Sequence, residues 1–171
     1  MQLAPDIAIT ATPLSYADGK RGVFQTLDLM RQFVESGKRD PSIIKAARAA
    51  VYMTPEKSAL HEIDAVFAVV RDGVRYVNDV YNVETLSEAR KTLQGRQGDC
   101  DDQVILLCSL FEAIGYATRF VVAGYNSPDT FEHVYCQVQT TGGHWIDCDP
   151  TEREPLGWCP PDPIIIAIER I

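Results

Sequence analysis

Gln97-Gly98-Asp99-Cys100-Asp101-Asp102 sets a thiol where a glycine turn feeds a long apolar segment. Asp99 reads as an N-cap and Asp102 as the N3 residue, both suited to accepting N–H groups that a first helical turn leaves unpaired. Behind them Val104, Leu107, Cys108, Phe111 and Ile114 recur at helical spacing as an inward stripe, and Gly115 closes the helix. Beyond Gly115 the pattern switches to alternation. Residues 118–125, 132–139, 143–148 and 163–169 read as four strands, separated by Asn126-Ser127-Pro128-Asp129, a short hairpin turn and the proline-rich loop 155–163.

Upstream the chain is helical. Val23, Leu27, Met30, Phe33 and Val34 place a helix over 22–36 with Gly37 as its stop. Asp40-Pro41-Ser42 is an N-cap followed by an N1 proline, opening a helix through about Val51. Thr54-Pro55-Glu56 repeats the device for a third helix ending at Gly73, with Leu60, Ile63, Phe67 and Val70 as its buried face. Residues 74–80 read as a short extended segment. Thr85-Leu86-Ser87-Glu88 is a capping box for a short helix ending at Gly95. Residues 1–20, with Pro5, Pro13 and Gly19, read as an extended arm. Helices followed by an antiparallel sheet predict an α+β fold. One compact domain is expected, with an N-terminal arm and helices over 1–55 and a core over 56–171.

At 171 residues the chain is long enough for one well-buried core. Its net charge of −8 argues against nucleic acid or an anionic membrane as partner. No basic n-region or sustained apolar run marks a leader or a span, so a cytoplasmic protein is predicted. Five irregularly spaced cysteines read as free thiols. Cys108, Cys136 and Cys148 fall on apolar faces and are expected to be inert core; Cys159, in the proline-rich loop, has no assigned role.

Cys100 differs by position. A helix N-terminus stabilises a thiolate, and the Cys100 N–H can face a developing oxyanion. Three neighbouring carboxylates would oppose the thiolate unless they point at backbone N–H groups or solvent. A histidine within reach would hold the proton, and a carboxylate on the far ring nitrogen would fix its tautomer. His133 and Asp149 are the candidates. With Thr140-Thr141-Gly142 as a three-residue hairpin loop, Gln139 opposes Gly143 and His133 opposes Asp149, their Cβ atoms roughly 5 Å apart on one face. Asp147, diagonal to His133 in that register, is the fallback. His61 reads as a surface or packing residue, and His144 faces away. His133 and Cys136 sit on opposite strand faces, so no metal site is predicted.

Three ordered motifs carry a resemblance: Gly98-Asp99-Cys100-Asp101-Asp102 with Leu106-Leu107 behind, Glu132-His133-Val134, and Trp145-Ile146-Asp147-Cys148-Asp149-Pro150-Thr151. Over residues 60–151 the chain resembles the transglutaminase-like superfamily of cysteine enzymes, built on a papain-like core. The resemblance implies a catalytic triad of Cys100, His133 and Asp149, since Trp145 stands four residues before Asp149. It also implies a second oxyanion donor from the stretch beginning at Tyr76, with Tyr76, Asn78, Tyr81, Asn82 and Gln94 all open. The implied activity is acyl transfer or hydrolysis on amide substrates, as a peptidase, amidase or transamidase, acting on a protein or peptide without a cofactor. The alternative is a catalytically silent interaction or assembly module, of phage or prophage type. The sequence leaves oligomeric state open.

Overall fold

A computed structural model describes residues 20–56, 58–78 and 85–171. The expected arm and the candidates Tyr81 and Asn82 lie outside the described residues. The elements run α1 (Lys20–Gly37), α2 (Pro41–Val51), α3 (Ala59–Arg71), β1 (Arg75–Tyr76), α4 (Ala89–Gly95), β2 (Gln97–Gly98), α5 (Cys100–Ala113), β3 (Thr118–Gly124), β4 (His133–Gln139), β5 (Trp145–Cys148) and β6 (Ile165–Arg170). The expected α+β order is the observed one.

α5 organises the rest. It is buried without interruption from Asp102 to Phe111. The expected stripe was therefore too narrow: Ile105, Leu106 and Leu110 are as buried as Leu107. A helix apolar on all sides needs neighbours on all sides. Helices α1 to α4 supply them on one flank and β4 on the other. Leu27, Met30 and Val34 of α1 and Ile43 and Ala47 of α2 join α5 in one continuous core.

Local signals were partly overridden. Asp40 caps α2 as expected, accepting the Ser42 N–H at 2.7 Å. Thr54, by contrast, closes α2 rather than opening α3: its hydroxyl donates to the Val51 carbonyl at 2.8 Å. α3 starts only at Ala59. Leu60, in its first turn, is 58% exposed, and Ile63, Val66, Phe67 and Val70 form the buried face. Residues 85–88 do not open the helix as expected, and the Asp102 carboxylate takes the Ser87 N–H at 2.7 Å. A tertiary bond stands at the expected cap, and α4 begins at Ala89.

The large sheet has the order β5-β4-β3-β6, all antiparallel. Phe120, Val122, Val134, Cys136, Val138 and Cys148 join the core with α5, as strand alternation requires. The β4–β5 hairpin differs in register from the expectation. Gln139 opposes Trp145, and the turn is closed by Thr140 N–H to His144 O at 2.8 Å and Gly143 N–H to Thr140 O at 2.9 Å. The loop is thus Thr141-Gly142-Gly143, with Gly143 at φ 84°. Placing Gly143 in the left-handed position keeps it out of the strand, where glycine packs poorly. Both loop ends move by one residue, so the register moves by two and every side chain keeps its face.

Gly37 ends α1 as a close approach as well as a stop. A Cβ there would lie 2.4 Å from the Ser109 hydroxyl of α5 and 3.0 Å from Ala89 Cβ. Gly37→Ala would gain at most roughly 1 kcal/mol in helix propensity, against about 1–3 kcal/mol for overpacking. A lower urea midpoint is expected for Gly37→Ala, partly recovered by adding Ser109→Ala. An unchanged midpoint would mean that α1 and α5 can part at no cost.

Candidate active site

Cys100 is the first residue of α5, and Asp99 caps it, accepting the Asp102 N–H at 3.1 Å. Gly98 is required just before: a Cβ on it would lie 2.6 Å from Asp102 Cβ. Gln103, buried below, donates to the Gly98 carbonyl at 3.1 Å and holds the turn. No sequence pattern singles Gln103 out.

β5 stops at Cys148, opposite Cys136, so the first residues of β4 have no partner strand on that side. There the Val134 N–H comes near the Cys100 sulfur and favours its thiolate, which places the thiol by the residue after His133. Nε2 of His133 lies 2.7 Å from Oδ2 of Asp149. Asp149 accepts, so Nε2 carries the hydrogen and Nδ1 is the nitrogen left to take a proton. In the observed register the two residues are diagonal neighbours rather than directly opposed. Their contact survives because a two-residue shift preserves the face. Asp147 is not the partner: it accepts from the directly opposed Gln137 at 2.6 Å.

Asp149 is 1% exposed, and its second oxygen is fully used. Oδ1 accepts the Thr151 N–H at 3.0 Å and the Thr151 hydroxyl at 2.7 Å. The Asp-Pro-Thr turn thus holds one carboxylate oxygen and frees the other for the imidazole. Tyr135, almost buried, lies roughly parallel to the His133 ring with centroids 6.2 Å apart. Trp145 is further off, under the Arg119 guanidinium at 4.1 Å, where it braces the far end of the hairpin.

The cleft over this cluster holds about 410 Å³ and is lined by Tyr76, Tyr125, His133, Asp149, Thr151, Glu152 and Pro160. Tyr125 and Glu152 carry no recognisable sequence signal. Of the remaining expected residues, His61 is exposed and bonded to Ser58, and His144 is exposed in the hairpin. Cys108, Cys136 and Cys148 are buried together in the core, as expected. Cys159 lies near Tyr135 and helps to raise the pKa of its phenol, after burial and Asp147. Among the described residues no cluster of histidine, cysteine, aspartate or glutamate could hold a metal ion, and no helix is long and apolar enough to cross a membrane.

The electrostatics correct one expectation. Burial, then the charges of Asp101 and Asp99, push the Cys100 thiol well above its ordinary pKa; N–H donors from Val134 and Asp101 only partly offset this. Asp102 and Asp99 do point at backbone N–H groups, but the Asp101 carboxylate lies 3.7 Å from the sulfur. A resting thiolate is therefore disfavoured, despite the helix N-terminus. Tyr76 feels the same field. Burial first, then the nearness of Cys100, Asp99, Asp101 and Asp149, pushes its phenol up to about 12.

A thiol at a helix start, set against an antiparallel sheet that presents a bonded histidine and aspartate, defines a papain-like arrangement. The chain belongs to the transglutaminase-like superfamily, whose sequence profile matches residues 46–150, more than half of it. Solved structures agree on the fold. A proposed cysteine protease from Cytophaga hutchinsonii is 20% identical with a TM-score of 0.55, over 74% of this chain and 42% of that one. A proposed protease from Parabacteroides distasonis is 10% identical with a TM-score of 0.56, over 76% and 26% respectively. This chain therefore spans less than half the length of either. Legionella pneumophila LapG is 14% identical with a TM-score of 0.52, over 93% of this chain and 90% of its own. No curated protein matches the sequence significantly.

A raised thiol pKa leaves little thiolate at neutral pH, so iodoacetamide should label Cys100 slowly at pH 7 and increasingly only above about pH 9. Asp101→Asn removes a negative charge, lowers the thiol pKa and should speed labelling at pH 8 several-fold, followed by peptide mass. Fast labelling of the wild type at pH 6 would contradict this account of the field.

Proposed function

We propose that the chain is a cysteine-dependent acyl-transfer enzyme, hydrolytic by preference, acting on amide bonds of a protein or peptide. The observation that supports this most is the His133–Asp149 bond of 2.7 Å, with Cys100 near the backbone of Val134, the residue after His133. Family membership and the fold shared with proposed proteases support it further.

In the proposed reaction the Cys100 sulfur attacks the carbonyl carbon while its proton passes to Nδ1 of His133. Because the thiol is neutral at rest, this transfer accompanies attack rather than preceding it. Asp149 fixes the ring and stabilises the imidazolium that forms. The imidazolium then protonates the leaving amine as the carbon–nitrogen bond breaks, which leaves a thioester on Cys100. Water, deprotonated by His133, attacks the thioester and releases the acid. An amine in place of water would give transamidation; hydrolysis is proposed because water is the more abundant nucleophile. No cofactor enters the scheme.

One observation favours a second reading. The carboxylates that keep the thiol protonated would suit a silent assembly module that retains the fold without turnover.

A panel of fluorogenic peptide amides and aryl esters, with and without an added primary amine, separates the two. Turnover that falls at least about 10³-fold in Cys100→Ala and in His133→Ala, and about 10²–10⁴-fold in Asp149→Asn, is expected for the enzyme. Turnover that the Cys100→Ala variant retains would overturn the reading. Product masses separate acid from transamidated amide.

A further inference from the structure

The walls of the cleft carry carboxylates and, among the described residues, no lysine or arginine. Asp149 is spent within the site, since His133 and Thr151 take up both its oxygens. Glu152 is different. It lines the cleft, is exposed, and its carboxylate makes no hydrogen bond or ion pair among the described residues. The basic residues next in the chain to the cleft walls are engaged elsewhere: Arg75 donates to Gln97 at 3.1 Å, and the charge of Arg153 acts on Asp72. The thiol end of the cleft has the same sign. Asp101 Oδ1 lies 3.7 Å from the Cys100 sulfur, and after burial the charges of Asp101 and Asp99 act on both Cys100 and the cleft-lining Tyr76.

A second wall group points to a ligand independently of charge. Tyr125 lines the cleft, and its hydroxyl is buried with no hydrogen-bond partner among the described residues. An unpaired buried hydroxyl costs free energy that a bound N–H or carbonyl would recover. At about 410 Å³ the cleft is small, so any side chain it admits stays close to the bond under attack.

We propose that the cleft selects an acyl donor bearing a positive charge beside the scissile carbonyl, a lysine or arginine side chain or a free α-ammonium, and that Glu152 receives this cation. The proposal rests on the acyl-transfer reading with Cys100 as nucleophile. A cation there does two things. It is drawn in by walls of opposite sign, which turn an acidic substrate away. It also stands near the sulfur as the thiol proton passes to Nδ1 of His133 and the carbon–sulfur bond forms, offsetting the carboxylates that oppose negative charge at that point. The bonding is unchanged: the carbon–nitrogen bond breaks, and the amine leaves with the proton that His133 took from Cys100.

Two sets of reagents aimed at the same sulfur test this. Methanethiosulfonates modify a thiol without acyl transfer, so their cationic trimethylammonioethyl, neutral methyl and anionic sulfonatoethyl forms read the charge of the cleft alone. Rates are followed by mass on the Cys100 peptide and divided by those for free cysteine. Wild type is expected to favour the cationic over the anionic reagent at least about tenfold. Glu152→Gln should shrink that preference several-fold, with the neutral reagent as the reference for each protein. The second set is p-nitrophenyl esters. Nα-acetyl-lysine ester should acylate Cys100 about tenfold faster than its Nε-acetylated form if the side chain is read. Norleucine ester should outpace its Nα-acetylated form if the α-ammonium is read. Cationic and anionic thiosulfonates reacting equally, a preference that Glu152→Gln leaves intact, or esters that acylate Cys100 with no preference in either pair would each overturn the proposal and leave the acyl-transfer reading standing. Esters that fail to acylate Cys100 at all would remove the acyl-transfer reading, and the substrate class with it, whatever the thiosulfonates show.

Discussion

The complete burial of α5 is the constraint on which the rest of the molecule depends. A helix apolar on every side has to be enclosed by other elements, and the four preceding helices and β4 do so. Its N-terminus cannot be sealed in the same way, because first-turn N–H groups need polar partners. Asp99 satisfies one, and Asp102 turns away to hold Ser87. The residue left at that opening is Cys100. The site therefore lies where the packing of the core helix has to stop, and the short β5 leaves the Val134 N–H there for the sulfur.

Much of this was legible because its signals are local. The Asp40 cap, the Asp99 cap, the glycine after α5 and the alternation of the strands each depend on a few consecutive residues, and each appears where expected. The Thr54 failure is local, its hydroxyl bonding the Val51 carbonyl; in the others a distant group took over a local signal. Asp102 took the Ser87 N–H at the expected start of α4, and enclosure on both flanks buried α5 from Asp102 to Phe111 rather than along a stripe. The hairpin is instructive in a different way. The loop was misplaced by one residue and the direct pairing with it, yet the His133–Asp149 contact forms, because the period of two protects the face from an even shift. Gln103, Tyr125 and Glu152 could not be read from the sequence, since only the folded chain brings them to Cys100 or His133.

The field around Cys100 sets this site apart from one built on a preformed ion pair. A helix N-terminus favours a thiolate, but burial and the two nearest carboxylates favour the thiol more strongly. Reactivity would appear only when a carbonyl is bound and His133 can accept the proton as the new bond forms. In the proposed reaction the Asp149 carboxylate would gain importance, because the imidazolium it would stabilise forms only during the acyl transfer. The two hydrogen bonds from Thr151 that hold Asp149 in place belong to the same device.

The most direct test of this account is the rate at which an acyl group reaches Cys100. Wild type and His133→Ala would be mixed with p-nitrophenyl acetate, quenched in acid at successive times, and the Cys100 peptide weighed. The account predicts rapid acetylation of Cys100 in wild type and acetylation at least a hundredfold slower in His133→Ala, since the variant lacks the base that takes the proton. Equal rates in the two proteins would mean that His133 does not serve the thiol, and the chemistry derived from the His133–Asp149 bond would be wrong.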